Sequence, residues 1–342
     1  MECSNCKKIF PSRNKLFKHL NQCNDGKEIE SILPKQNNEV SQELTFSAIV
    51  PSLEESNIRS VLFVTGGRIR GRTLSCTERY DYTRNCWIQC PNMLEARGSH
   101  GASALGEKIF IIGGGGLHSN LASCEVFHNA LWATIAPCQT LRHALAVIDV
   151  DGKIYSIGGW IDGSRCSSVV ECYDPQLNSW VYLAPLQIAR RLMGACAFHD
   201  RIFVFGGNCD DPQWFTCKSE VYDIASNIWT FIEDLPASGE TSAEVVNGII
   251  YVIIHGKGIY QYDPVLNNYT FLSRLPLSEW YCFGTAVINN CIIIYGGAVT
   301  GKWSKLVFLY HCATNIWCEL APMLHCRRRC AGAVMELSSA SI

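Results

Sequence analysis

Cys3, Cys6, His19 and Cys23 have the types and spacing of a metal-ligand set, Cys-x2-Cys-x12-His-x3-Cys. Thiolate sulfur and imidazole nitrogen are the donors that tetrahedral zinc takes, and this spacing suits two ligands from a knuckle and two from one helix face. Zinc is therefore the cofactor that the pattern predicts.

The residues between the donors sharpen this reading. Phe10 lies four positions after Cys6, Leu16 six after that, and His19 three later. The segment resembles a ββα zinc finger whose last histidine is replaced by cysteine, over residues 1–26. The resemblance implies that Ser12, Lys15 and Lys18 occupy helix positions turned toward base edges, with Lys7, Lys8 and Arg13 near phosphates. One finger reads only about three base pairs, so nucleic-acid contact through the finger competes with a protein-contact or structural role. Residues 27–58 follow as an acidic linker, with a short strand expected at Thr45–Val50.

The chain has 342 residues and a formal net charge of −2. That charge is uneven: residues 1–25 carry +3, residues 26–58 carry −4, and the remainder is near −1. A broad nucleic-acid surface on the large domain is disfavoured by this balance. No apolar run approaches the roughly 18 residues needed to span a bilayer. The N-terminus lacks a secretory h-region, so a cytoplasmic or nuclear location and no membrane partner are expected. The 19 cysteines then read mostly as free thiols, with Cys209, Cys217, Cys326 and Cys330 as the candidates for redox sensitivity.

The positioning elements come from a repeat. A diglycine after an apolar run recurs at Gly66-Gly67, Gly113-Gly114, Gly158-Gly159, Gly206-Gly207 and Gly296-Gly297, with a degraded copy at His255-Gly256. Successive copies are 47, 45, 48, 49 and 41 residues apart. Each is followed by an aromatic: Trp87, Trp132, Trp180, Trp229, Tyr269 or Trp317. Apolar runs punctuated by Gly, Asp-Pro and Asn predict four short antiparallel strands per unit.

Diglycine, Glu-x-Tyr-Asp and Trp together resemble kelch repeats, and six of them a six-bladed kelch β-propeller spanning residues 59–342. The fold class expected is thus all-β, preceded by the small finger. The first blade enters at its second strand, and "RRRCAGAVMEL" matches an innermost-strand pattern, so residues 328–337 are expected to close the ring. The second repeat, with Phe127-His128 for Tyr-Asp, and the fifth are expected to be irregular blades.

Residues repeated at a fixed register read as structural. Arg97, Arg142 and Arg190 each lie sixteen before a diglycine, and Asp81, Asp174, Asp223 and Asp263 read as turn acceptors. The loops after the diglycines differ between copies. They carry Arg68, Arg70 and Arg72, Trp160 and Arg165, Trp214 and Phe215, and Lys302 and Trp303, the usual makings of a partner-binding face, with packing between loops as the alternative. The resemblance implies a non-enzymatic scaffold or adaptor for a protein partner, and no catalytic residues are assigned. Propeller oxidases and sugar mutarotases share the repeat, but no converging ligands or acid/base pair stands out. Some kelch proteins grip acidic peptides through arginines two places after the structural one. Here those places read as Ser99, Ala144, Leu192, Thr241, Cys282 and Cys330, which does not support that mode. No motif resembles the BTB fold that recruits ubiquitin-ligase cullins, so an adaptor role of that kind needs a separate partner.

Overall fold

The computed structural model describes residues 58–117, 119–161, 165–210 and 214–338. The zinc set, Ser12, Lys15, Lys18 and the strand expected at Thr45–Val50 lie outside the described residues.

Six four-stranded antiparallel sheets account for most of the described chain. The first contains Ala331–Ser338, Ile58–Thr65, Thr77–Asp81 and Cys86–Cys90, from inner to outer strand. The second runs through Gly101–Leu105, Lys108–Ile112, Cys124–His128 and Leu131–Ile135. The third runs through Ala146–Val150, Lys153–Ile157, Val170–Asp174 and Ser179–Tyr182. The fourth contains Gly194–Phe198, Arg201–Phe205, Ser219–Asp223 and Ile228–Ile232. The fifth contains Thr241–Val246, Ile249–Ile254, Gly258–Asp263 and Asn268–Ser273. The sixth contains Gly284–Ile288, Cys291–Tyr295, Val307–His311 and Ile316–Leu320. The inner strand of each sheet touches that of the next, and the sixth returns to the first.

Burial follows position within the sheet. The second strand is packed between neighbouring sheets on both faces, so it needs a continuous apolar run; Cys291–Tyr295 is buried at every residue. The outer strands alternate: Ser179–Tyr182 buries only Trp180. Each diglycine ends a second strand at positive φ, +54° at Gly66 and +101° at Gly67. A Cβ on Gly66 would lie 2.4 Å from the Arg97 carbonyl oxygen, so glycine is required by space as well as by backbone angle.

Ring closure follows the C-terminal strand. Ala331–Ser338 pairs with Ile58–Thr65 over all eight residues, from Thr65 opposite Ala331 to Ile58 opposite Ser338. The strand begins at Ile58, one residue inside the expected linker. A second tie acts at the rim, where Trp87 Nε1 donates to the Ala321 carbonyl oxygen at 2.8 Å. The same bond joins Trp132 to Pro91, Trp180 to Ala136 and Trp229 to Ala184, each on the preceding sheet.

The two irregular repeats still form complete sheets. In the second, Asn129 and Ala130 both have positive φ (50° and 58°), a tight hairpin turn that shortens the Phe127-to-Trp132 spacing while keeping the two opposite each other. In the fifth, Lys257 N–H donates to the Ile254 carbonyl oxygen across His255-Gly256, replacing the long loop by a turn.

Candidate functional site

The repeated arginines are structural, as their register implies. Arg97 accepts the Gly67 N–H at its carbonyl and sends its guanidinium to the Gly113 and Ser123 carbonyl oxygens and to Glu125. It thus ties the first sheet to the second. Arg142 with Glu171 and Arg190 with Glu220 repeat the arrangement at 3.2 and 2.6 Å, with all side chains in these two pairs buried. The fourth such residue is Arg327, paired with Glu78 and donating to the Gly66 carbonyl oxygen. The expectation missed Arg327 because its diglycine lies far earlier in the chain, beyond the ring closure. This corrects the register: Arg329, not Cys330, lies two places after the structural arginine.

Asp81, Asp174, Asp223 and Asp263 accept backbone N–H groups two or three residues on, as turn acceptors do.

The inner ends of the inter-sheet loops form a hydrogen-bonded collar around the mouth of the ring. Ser99 N–H donates to the Arg329 carbonyl, Ala144 to Ser99, Leu192 to Ala144, Thr241 to Leu192 and Arg329 to Cys282. Ser99, Ala144, Leu192, Cys282 and Arg329 have φ between 53° and 58°, which turns each N–H toward the previous sheet. One link differs: Cys282 N–H donates to the Glu240 carboxylate at 3.2 Å. Burial opposes charge on Glu240, but the His255 hydrogen bond and then the Arg329 guanidinium hold its carboxyl down to about 2. Arg329 Nη2 lies 3.0 Å from Glu240 Oε1.

Beneath the collar is a cavity of about 150 Å³ lined by Glu240, His255, Arg329 and His100. Burial, with Arg97 and Arg327 nearby, pushes His100 down to about 3, so it is neutral. A carboxylate held this low and ion-paired is a weak base. A channel of about 690 Å³ continues between the inner strands, past Asp149, Glu244 and Glu336.

The loop residues singled out from sequence occupy hairpins at the diglycine ends of the sheets. Arg70 and Arg72 are exposed on the hairpin of Arg68–Ile69 with Arg72–Thr73. Arg165 is exposed beside Trp160–Ile161. Trp214 is 67% exposed at φ 65°, whereas Phe215, Trp160 and Trp303 are half-buried. Both alternatives therefore occur: Trp214 projects, and Trp160 packs beneath Arg191, whose guanidinium lies 3.8 Å from the ring centroid. Arg328 lies 5.9 Å from the Trp303 centroid.

The sequence reading missed Arg191 as a residue of this face, and took Arg328 only as the start of the segment that closes the ring. The signal available was an arginine directly after a structural arginine. Cys330 and Cys217 are not activated thiols, because burial pushes the first up to about 12 and raises the second.

Comparison with known proteins agrees with this architecture. The Kelch motif model matches residues 57–94, 141–187, 189–236 and 279–324, more than half of the chain. Kelch-like protein 35 of Mus musculus is 28% identical over 217 residues, covering 60% of this chain and 36% of that protein. Kelch-like protein 23 of Homo sapiens is 26% identical over 273 residues, covering 77% of this chain and 48% of that protein. The chain thus spans about half or less of the length of these relatives. The solved structure of YjhT aligns with a TM-score of 0.60 at 16% identity, over 71% of this chain and 89% of that one, a likeness of fold. No helix among the described residues is long and apolar enough to cross a membrane.

Proposed function

This chain belongs to the kelch-motif family, and we propose that residues 59–342 act as a six-bladed propeller that scaffolds a protein partner without catalysing a reaction. The observation that carries the reading is the hairpin face at the diglycine ends, where Trp214 projects into solvent and Arg165 is exposed on the hairpin of the preceding sheet. A large aromatic left exposed on a loop of a rigid scaffold is the usual anchor of an interface. The relatives' names carry the kelch repeat, and a protein-binding, intracellular role extends that likeness to this chain. In the same proposal Cys3, Cys6, His19 and Cys23 hold one zinc ion in an N-terminal finger, followed by the acidic linker 27–58.

The test pairs stability with recovery. Trp214→Ala and Trp303→Ala are compared with the parent by melting temperature and by the proteins co-purified from cell extract. Lost partners at unchanged melting support a binding face. Unchanged recovery moves the search to the finger, whose nucleic-acid contact through Ser12, Lys15 and Lys18 is then tested by a zinc- and salt-dependent mobility shift.

A further inference from the structure

Cys124 and Cys138 lie in the core between the second and third sheets, with their Sγ atoms 3.5 Å apart. Cys124 opens the third strand of the second sheet, opposite Ile135. Cys138 sits on the connection that leaves the outer strand, where its N–H donates to the Ala122 carbonyl at 2.9 Å. They are 1% and 5% exposed, and both are free thiols.

The other sheets define what this position does. The same backbone bond joins Met93 to Ser75, Leu186 to Ser168, Leu235 to Cys217 and Met323 to Lys305, so these four stand where Cys138 stands. Each is buried and packs beneath the first glycine of its diglycine. A Cβ on Gly66, Gly158, Gly206 or Gly296 would meet Met93, Leu186, Leu235 or Met323 at 2.9, 3.3, 2.6 and 3.0 Å. At Gly113 the nearest side-chain atom is Leu145 Cδ2, at 3.8 Å. Cys138 thus gives up the packing that a large apolar residue supplies in four other sheets. Cys124 in turn stands where those sheets have Thr77, Val170, Ser219 and Val307. Both departures from the repeat fall on one pair of facing positions and set sulfur against sulfur.

The pair is also chemically asymmetric. Donation from the Cys138 S–H holds the Cys124 thiol below its ordinary value, against the opposing effect of burial. The same bond, with burial, pushes the Cys138 thiol up. Cys124 is the nucleophile of the pair and Cys138 the resolving thiol.

We propose that Cys124 and Cys138 close to a disulfide when a hydroperoxide oxidises the protein, stapling the second sheet to the connection that leads into the third. The Cys124 thiolate attacks one oxygen of hydrogen peroxide and the O–O bond breaks. The departing hydroxide takes the proton released by Cys124 and leaves as water, so Cys124 becomes a sulfenic acid. The Cys138 sulfur then displaces hydroxide from that sulfur, and its proton leaves with the hydroxide as a second water. Two electrons pass from the sulfurs to the peroxide. Closure to an S–S bond of about 2.0 Å needs a movement of about 1.5 Å, which the connection bearing Cys138 supplies. That connection runs on through Gln139, whose N–H donates to Glu171 Oε2 at 2.9 Å, to Arg142, whose Nη1 donates to the Gly158 carbonyl at 2.7 Å. A bond closing a loop of about 15 residues restricts the unfolded chain and so favours the folded one.

The full chain is reduced, desalted, treated with a small excess of hydrogen peroxide, and then alkylated under denaturing conditions. Glu-C cleavage after Glu125 separates the two cysteines unless they are linked. The expected result is a linked peptide holding Cys124 and Cys138, released by dithiothreitol. The melting temperature should rise by about 3–8 °C on oxidation and return on reduction. Cys138→Leu, which supplies the residue type of Leu186 and Leu235, should give no linked peptide and no oxidative shift. Should that variant fail to fold, Cys124→Val, matching Val170 and Val307, takes its place. The proposal is overturned if both cysteines remain alkylatable after the half-exposed Cys318 is oxidised, or if either links to another cysteine instead. Linkage without a rise in melting temperature, or the same rise in the variant, removes the staple.

Discussion

Trp280 and Phe308 pack with ring centroids 5.6 Å apart at the place where four other sheets hold a buried arginine–glutamate pair. Trp280 lies sixteen residues before Gly296, and its Nε1 donates to the Gly296 carbonyl at 2.7 Å, much as Arg97 Nη1 donates to that of Gly113 at 2.8 Å. Phe308 takes the strand position that Glu125 takes. The sixth sheet thus keeps the hydrogen bond and replaces the ion pair by an apolar contact. The fifth sheet has Gly239 and Ile259 at the same two places and carries neither.

Exchanging one member of this pair should cost more than exchanging both. Trp280→Arg places a guanidinium against Phe308 with no carboxylate, a loss of about 3–5 kcal/mol. Trp280→Arg with Phe308→Glu should recover a large part of it. Urea unfolding of the two single variants and the double variant measures the coupling, and simple additivity would contradict the equivalence.

Removing one partner of an intact pair should be similarly severe. Arg142→Ala leaves Glu171 buried without its cation and frees the Gly158 and Val169 carbonyl oxygens, a loss again of about 3–5 kcal/mol. Trp180→Ala, at the rim, should cost about 3–5 kcal/mol as a buried aromatic. Trp214→Ala should leave the melting temperature within error.

Deleting residues 331–342 should expose an edge of Ile58–Thr65 and remove the buried Ala333 and Met335. Light scattering should then find self-association, together with a lowered melting temperature. A monomer with parent-like melting would show that the strand does not hold the ring closed.

Stability should fall between about pH 4.5 and pH 7 through Glu244 in the channel. Burial raises its carboxyl to about 7, against the opposing hydrogen bond from the Thr285 hydroxyl. In that window the folded protein holds a proton that the unfolded chain has released, so raising pH favours unfolding. Glu244→Gln should remove this slope and gain on the order of 1–3 kcal/mol at pH 8 relative to pH 5. Paired melting curves at the two pH values decide it.

Residues 1–26 should bind one zinc ion and be unfolded without it, because zinc supplies on the order of 10–16 kcal/mol to such segments. Native mass spectrometry of the segment with and without chelator counts the metal.

The sequence alone determined the repeated unit, its strands, the strand that closes the ring and the structural roles of Arg97, Arg142, Arg190 and the turn aspartates. These are legible because each copy solves the same packing problem with the same residues at the same spacing, so periodicity exposes them. Arg327 escaped notice because its partners Gly66 and Glu78 are neighbours only after closure. Glu240, which completes the collar around the mouth, lies in one of the two loops with no arginine at the structural register. The meeting of Arg68 with Arg328 was likewise decided by tertiary structure alone. These residues are 260 positions apart, and their backbones pair because the first and last strands share a sheet. A repeat reports what every sheet must do. What happens where the ring closes depends on which unlike residues the closure brings together.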